Sequence, residues 1–267
     1  MIRLVGIDVD GTLIGSSGSV EPIIWRAAER AREAGIHLAI CSGRPAFGSA
    51  LAYAQRLDSE GWHIFQNGAS IVHLASGRSR SRTLPDLCVE FLIAKARSTG
   101  RILELYSDQS YVSESASAWA QEHARLLGVA FEPRPFESLR RPVVRAQWLA
   151  SPADATQVMA EAPSGVEVAQ STSPLMPDTR FIGLTPAGVD KGTAMQSVAA
   201  EYGIALNDVM YVGDADNDLS ALQVVGHPIA MANASAAVLK TAKRSVGHVD
   251  AGGLAEALEL AIATACR

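Results

Sequence analysis

The chain has 267 residues, 48% hydrophobic and 19% charged, a composition that excludes a disordered protein. A formal net charge of -5 offers no basic footprint for nucleic acid. Cys41, Cys88 and Cys266, odd in number and widely spaced, exclude a disulfide framework or a zinc-ligand spacing. No apolar run approaches the ~20 residues needed to span a bilayer.

The first stretch alternates strand and helix. Residues 2–7 form an apolar strand interrupted only by Arg3, and Asp8 and Asp10 break the run too early for a signal peptide. A helix is expected over 22–34, with Pro22 in its first turn and Gly35 as its stop. A strand over 37–41, a helix over 46–57 and a strand over 63–66 follow. This rhythm predicts right-handed crossovers and a parallel sheet.

The middle differs. It is richer in proline, with Pro133, Pro135, Pro142, Pro152, Pro163, Pro174 and Pro177. Helices are expected over 86–97, 116–127 and 153–160, and strands over 101–106, 111–113, 143–150 and 181–184. The last stretch resumes the earlier rhythm. It gives helices over 192–202, 219–223, 236–242 and 254–265, and strands over 209–212 and 228–231. The chain therefore reads as a doubly wound, Rossmann-like parallel α/β core from residues 1–82 and 183–267. Residues 83–182 form an inserted α+β domain.

The chemistry-bearing residues fall at element ends. Asp8 ends the first strand, within Asp8-Val9-Asp10-Gly11-Thr12-Leu13. Ser42 ends the second, within Ser42-Gly43-Arg44. Asp214 follows the strand at 209–212, within Gly213-Asp214-Ala215-Asp216-Asn217-Asp218, and Lys191 opens a helix. Ligands of open parallel sheets bind outside the carboxyl ends of the strands, where strand order reverses. If the Asp8 strand is central, these four groups converge.

Asp8 and Asp214, with Asn217 or Asp218, offer hard oxygen ligands suited to magnesium. Ser42, Lys191 and the backbone N–H groups of the Asp10-Gly11-Thr12 turn are candidates to hold phosphoryl oxygens. Gly11 lets the backbone turn closely around them. A carboxylate at position 8 can act as a covalent nucleophile, and a second carboxyl two residues on can serve as acid and base.

On these motifs the chain resembles the haloacid dehalogenase superfamily, and most of all its Cof-type phosphatases with a large cap inserted between the second and third motifs. Gln66-Asn67-Gly68-Ala69, Ala230-Met231-Ala232-Asn233-Ala234 and Asp250-Ala251-Gly252-Gly253-Leu254 extend the resemblance. It implies Asp8 as nucleophile, Asp10 as general acid/base, and Ser42 and Lys191 as phosphoryl ligands. Asp214 would bind magnesium with Asp8 and the Asp10 carbonyl, and Asn217 and Asp218 would complete the site. Ala232 and His227 depart from the branch's usual glycine and aromatic. Asp10 argues against dehalogenase activity, because dehalogenases of the superfamily lack that second Asp.

The expected activity is magnesium-dependent hydrolysis of small phosphate monoesters, sugar phosphates among them, through an aspartyl phosphate. The alternatives are a phosphomutase and a phospho-ligand-binding regulator without turnover. The expected location is the cytoplasm, with a small phosphorylated metabolite as partner and neither nucleic acid nor membrane. Arg44 faces the phosphate or the cap, or forms a structural salt bridge. Asn67 contacts substrate, bridges core and cap, or merely makes a turn with Gly68. Arg134, Arg140, Arg141, Arg145 and Arg180 are weaker candidates for a second anion site. Arg78, Arg80 and Arg82 read as an exposed edge, His63 and His73 as structural histidines, and Cys41 as core.

Overall fold

The computed structural model describes residues 1–140, 142–173 and 175–265. In chain order the first elements are β1 (Leu4–Ile7), α1 (Pro22–Glu33), β2 (His37–Ile40), α2 (Gly48–Asp58), β3 (Trp62–Phe65) and β4 (Ser70–His73). The middle comprises α3 (Asp86–Thr99), β5 (Ile102–Tyr106), β6 (Tyr111–Val112), α4 (Ala118–Leu127), β7 (Arg145–Ala150), α5 (Ala155–Ala160), β8 (Val166–Ser173) and β9 (Met176–Pro186). The last elements are α6 (Lys191–Glu201), β10 (Val209–Gly213), α7 (Leu219–Val224), β11 (His227–Met231), α8 (Ala236–Thr241), β12 (Arg244–Val246) and α9 (Gly253–Ala265).

The chain groups into two compact units. One holds Met1–Arg44, Ala50–Arg80 and Asp190–Arg267; the other holds Pro45–Ser49 and Ser81–Val189. The first contains a parallel sheet in the order β12-β11-β10-β1-β2. Every residue of β1 and β10 is buried, as expected of parallel strands covered on both faces. Ile7 pairs with Ile40 on one side and Val212 on the other. Asp8, Ser42 and Asp214 therefore leave one edge of the sheet, at neighbouring strand ends. The chain runs from β1 to β2 in one direction and returns on the far side through β10. The boundary between β1 and β10 is thus the point where strand order reverses.

Local chemistry explains how α1 and α6 begin and end. Pro22 stands in the first turn of α1, where a missing N–H costs nothing, and Gly35 follows its end at φ 80°. Asp190 caps α6, accepting from the Thr193 N–H at 2.7 Å, while the Thr193 hydroxyl reaches back to the Asp190 N–H. This box fixes Lys191 as the first residue of α6.

The second unit is an antiparallel sheet in the order β6-β5-β7-β9-β8. Its apolar core joins Val89, Leu92 and Val158 of the helices to Leu103, Leu105, Trp148 and Leu184 of the strands. Among residues of alternate register lies Glu104, fully buried. It accepts from the Tyr106 hydroxyl at 2.5 Å and Gln147 Nε2 at 3.1 Å, and pairs with His123 Nδ1 at 2.8 Å.

Several expectations need correction. The third strand does not join the parallel sheet as a full member. β3 pairs antiparallel with β4, and a single parallel bridge, Cys41 to Ile64, ties it to the chain after β2. The helix expected from residue 46 starts at Gly48, because Phe47 stacks on Tyr106 and Tyr111 at 6.3 and 6.0 Å and residues 45–49 group with the second unit. A boundary at 182/183 would cut β9, whose ladder runs on to Pro186 opposite Val166. The second unit accordingly ends at Val189. The sequence predicts no strand at β4, β8 or β12. Arg141, Pro174 and Cys266 lie outside the described residues. Among the described residues no helix is long and apolar enough to cross a membrane.

Candidate active site

All residues of the site belong to the first unit. Lys191 Nζ is buried and donates to Asp8 Oδ1 at 2.5 Å and to Asp218 Oδ1 at 2.7 Å. Asp218 accepts four bonds in all. Oδ1 also takes the Tyr211 hydroxyl at 2.7 Å, and Oδ2 takes the N–H groups of Asp214 and Ala215, each at 3.0 Å. Asp214 is oriented by the Thr12 hydroxyl at 2.9 Å and by Asn233 Nδ2 at 3.5 Å. Asn233 also donates to the Gly11 carbonyl at 2.8 Å and accepts from the Val249 N–H at 3.0 Å. It thereby joins the loops after β1 and β11.

Asp8, Asp214 and Asp218 each place an oxygen within 4.8 Å of the others. Three carboxylates thus surround one ammonium. Burial first, and the Asp218 charge second, push the Asp8 carboxyl well above its ordinary range, against the pull of Lys191. Burial likewise raises Asp214 to about 6. Burial opposes the charge on Lys191, yet Asp8 and Asp218 outweigh it and hold the ammonium protonated. The trio carries more negative charge than Lys191 neutralises, and its donors are hard carboxylate oxygens. This donor set fits a divalent cation. Asp8 and Asp214 are the better placed for direct ligation, since a cation on Asp218 would displace one of its four donors.

Asp10 stands apart from the trio. Its carboxylate is 60% exposed and is held by both arms of Arg44, at 3.0 Å from Nε and 2.6 Å from a terminal nitrogen. Burial works against the Arg44 charge, but the Asp10 bonds leave it raised overall. The backbone amides of the turn are engaged locally. Gly11 N–H donates to the Ile14 carbonyl at 2.9 Å, and Thr12 N–H points to the Val9 carbonyl at 3.4 Å. The sequence suggests the N–H groups of the Asp10-Gly11-Thr12 turn for an anion; in this structure those of Gly11 and Thr12 face carbonyls of the same turn. Gly11 has φ 91°, and an added Cβ would lie 2.2 Å from Asp214 Oδ2. Glycine is therefore required there by both backbone and space.

Ser42 is buried, and its Oγ accepts from the Arg44 N–H at 3.0 Å. Asn217 Nδ2 donates to Asn67 Oδ1 at 3.1 Å. Asn67 and the preceding Gln66 both have positive φ, 55° and 53°.

Of the four groups expected to converge, Lys191 bonds to Asp8 and Asp214 lies beside it, whereas Ser42 stands at the neighbouring strand end with its Oγ on the Arg44 N–H. Sequence reasoning missed the roles of Tyr211 and Asn233. Tyr211 sits inside an apolar strand and reads as core. Asn233 had a usable signal, since it is the first polar side chain past the carboxyl end of β11, the same place that Asp214 holds after β10.

Several of the weaker candidates make structural contacts. Arg78 and Arg80 pair with Glu201 at 3.2 and 2.5 Å. Arg134 donates to the Tyr111 carbonyl at 3.0 Å, Arg180 to the Pro177 carbonyl at 2.9 Å, and Arg145 lies 4.9 Å from the Tyr106 ring centre. His63 accepts from the Ile40 N–H at 3.1 Å, with Nε2 2.7 Å from the Asp58 carbonyl. Burial raises the Cys41 thiol to about 12, so it is an inert core residue.

Residues 5–258 match the model of the haloacid dehalogenase-like hydrolases. A 5-amino-6-(5-phospho-D-ribitylamino)uracil phosphatase of Bacillus subtilis strain 168 is 28% identical over 265 residues, spanning 87% of this chain and 88% of its own. An HMP-PP phosphatase of Yersinia pseudotuberculosis serotype O:1b is 23% identical over 237 residues, spanning 88% of this chain and 85% of its own. A haloacid dehalogenase-like hydrolase from Bacteroides thetaiotaomicron superposes with a TM-score of 0.88 at 27% identity, covering 97% of this chain and 99% of that one.

Proposed function

The chain belongs to the haloacid dehalogenase-like hydrolases, and on that premise we propose that it is a magnesium-dependent phosphatase of small phosphate monoesters, sugar phosphates among them. The observation that carries the reading is the buried Asp8–Lys191–Asp218 cluster beside Asp214, at the point where strand order reverses. Relatives that span most of the chain bear phosphatase names. The second unit corresponds to the inserted cap that the resemblance implies. Buried free thiols at Cys41 and Cys88 suit a reducing compartment such as the cytoplasm.

Asp8 and Asp214 would hold magnesium, which when bound offsets the charge of the carboxylates and the phosphoryl oxygens. An Asp8 carboxylate oxygen attacks phosphorus, and the bond from phosphorus to the ester oxygen breaks. The departing oxygen takes a proton from Asp10 and leaves as an alcohol. Asp10, now a carboxylate, takes a proton from water, whose oxygen bonds to phosphorus. The bond to Asp8 breaks, inorganic phosphate departs, and Asp10 again carries the proton. Lys191 fixes the Asp8 carboxylate, and its charge favours phosphoryl oxygens nearby; Ser42 and Asn217 contribute hydrogen bonds to them. Asp10 has both oxygens on Arg44, so it must give up one of these bonds to handle a proton.

Asp8→Asn should abolish phosphate release from p-nitrophenyl phosphate while its circular dichroism spectrum stays that of the wild type. Chelation of magnesium should stop the wild-type enzyme and its restoration should revive it. A normally active Asp8→Asn protein would sink the nucleophile assignment, and indifference to chelation would sink the metal site.

A further inference from the structure

Residues 66–68 form a turn in which three consecutive residues have positive φ: 53° for Gln66, 55° for Asn67 and 105° for Gly68. Gly68 has a steric reason. A Cβ there would lie 2.3 Å from the carbonyl oxygen of Asp190, the cap of the helix that opens with Lys191. Asn67 is different, because an L-residue with a side chain is disfavoured in this conformation. Its backbone role could be filled by glycine: the Gln66 and Asn67 N–H groups donate to the carbonyls of Arg44 and Ser42, each at 2.9 Å, gripping the chain on either side of Gly43.

What glycine could not supply is the side-chain amide. Asn67 Oδ1 accepts from Asn217 Nδ2 at 3.1 Å. The same oxygen would stand 3.2 Å from a Cβ added at Gly43, so it lies directly against that residue. Asn67 thus joins the loop after β2 to the loop after β10, two loops that leave the sheet on opposite sides of β1.

We propose that Asn67 is a positioning residue for phosphoryl transfer: its side-chain oxygen holds the Asn217 amide against the Ser42–Arg44 loop and so fixes the spacing between the two walls of the phosphoryl site. The inference rests on the phosphatase reading. Asn67 touches neither the attacking carboxylate nor the acid; it acts through Asn217. One hydrogen of Asn217 Nδ2 is committed to Asn67, and the other is left with a fixed direction. A mis-set amide lowers the rate more than it lowers ground-state binding, because the transferred group is best matched in the transition state.

The test is a mutant cycle in the full chain, with p-nitrophenyl phosphate and magnesium. Asn67→Gly retains the backbone conformation and removes the amide. Its melting temperature should equal or exceed that of the wild type, kcat should fall about tenfold, and KM should change less than threefold. Asn217→Ala should lower kcat by itself, and adding Asn67→Gly to it should lower kcat no further. Asn67→Asp keeps an oxygen for Asn217 Nδ2 and tolerates positive φ; it should recover most of the kcat that glycine loses, and it decides the matter if Asn67→Gly does not fold. A normal kcat in Asn67→Gly, additive losses in the cycle, or no recovery by aspartate would each overturn the proposal. Asp8→Asn is the control. A wild type that releases no phosphate with magnesium present defeats the phosphatase reading, whereas an active wild type with a dead Asp8→Asn beside a normal Asn67→Gly defeats only the role of Asn67.

Discussion

Replacing Lys191 by methionine keeps the length of the side chain and removes its charge. In the native cluster that ammonium lies 2.5 Å from Asp8 and 2.7 Å from Asp218, all three groups being buried. Removing one partner of a buried ion pair costs about 3–5 kcal/mol, because the remaining charge is left without a counterion. For a chain of this size each kcal/mol moves the melting temperature by roughly 2–4 °C, so a fall of roughly 6–20 °C is expected at pH 7.5 with chelator present. The sign of the pH dependence follows from Asp8, whose carboxyl is raised by burial and by Asp218 even with Lys191 in place. A group whose folded pKa is raised binds more protons in the folded state, so its contribution is greatest at low pH and is lost as pH rises through that value. Without Lys191 the rise is larger, and the deficit of the variant should shrink from pH 7.5 towards pH 5. Magnesium should stabilise Lys191→Met more than the wild type, because it meets three carboxylates with no competing ammonium. Differential scanning fluorimetry at pH 5, 6 and 7.5, with chelator and with magnesium, measures all three effects. A melting temperature within 2 °C of wild type at pH 7.5 in chelator, unchanged by pH, would refute the charge argument.

Two further outcomes test neighbouring parts of the structure. Gly11→Ala forces a Cβ to within 2.2 Å of Asp214 Oδ2 at φ 91°, so Asp214 must move; a magnesium titration of turnover should show half-saturation raised about tenfold, equivalent to ~1.4 kcal/mol, and an unchanged titration would clear Asp214 of a role in metal binding. Burial lowers His63 to about 4, from 6.5 in the unfolded chain. The unfolded state then binds the extra proton between these values, and stability present above pH 6.5 is lost as pH falls towards 4. Between pH 7.5 and pH 5 wild type should lose about 2 kcal/mol more than His63→Gln in urea unfolding, and equal losses would contradict the buried neutral imidazole.

How much of this was legible in the sequence depended on the range of the interaction. The catalytic end of the sheet was readable because continuous apolar runs end abruptly in Asp8, Ser42 and Asp214, and parallel pairing aligns those ends. β8 escaped because it is an edge strand with little buried surface, and serines and glutamine outnumber its valines. β12 is three residues long, too short for a period-2 pattern. The bond from Tyr211 to Asp218 spans seven positions, and only the path of the intervening loop brings the two together. The positive φ at Asn67 agrees with the tolerance of Asn for that region; at Gln66 no local preference foretells it.

The four donors on Asp218 bear on what a ligand finds when it arrives. A carboxylate bound by two backbone amides, a phenol and an ammonium has no rotameric freedom left. Lys191, normally among the side chains with most rotamers to lose, has already lost them on folding. Its ordering entropy is therefore absent from the free energy of substrate association. A preorganised cluster of this kind should bind phosphate-like anions with an entropy close to that of a rigid receptor, and should show little change in side-chain order when they bind.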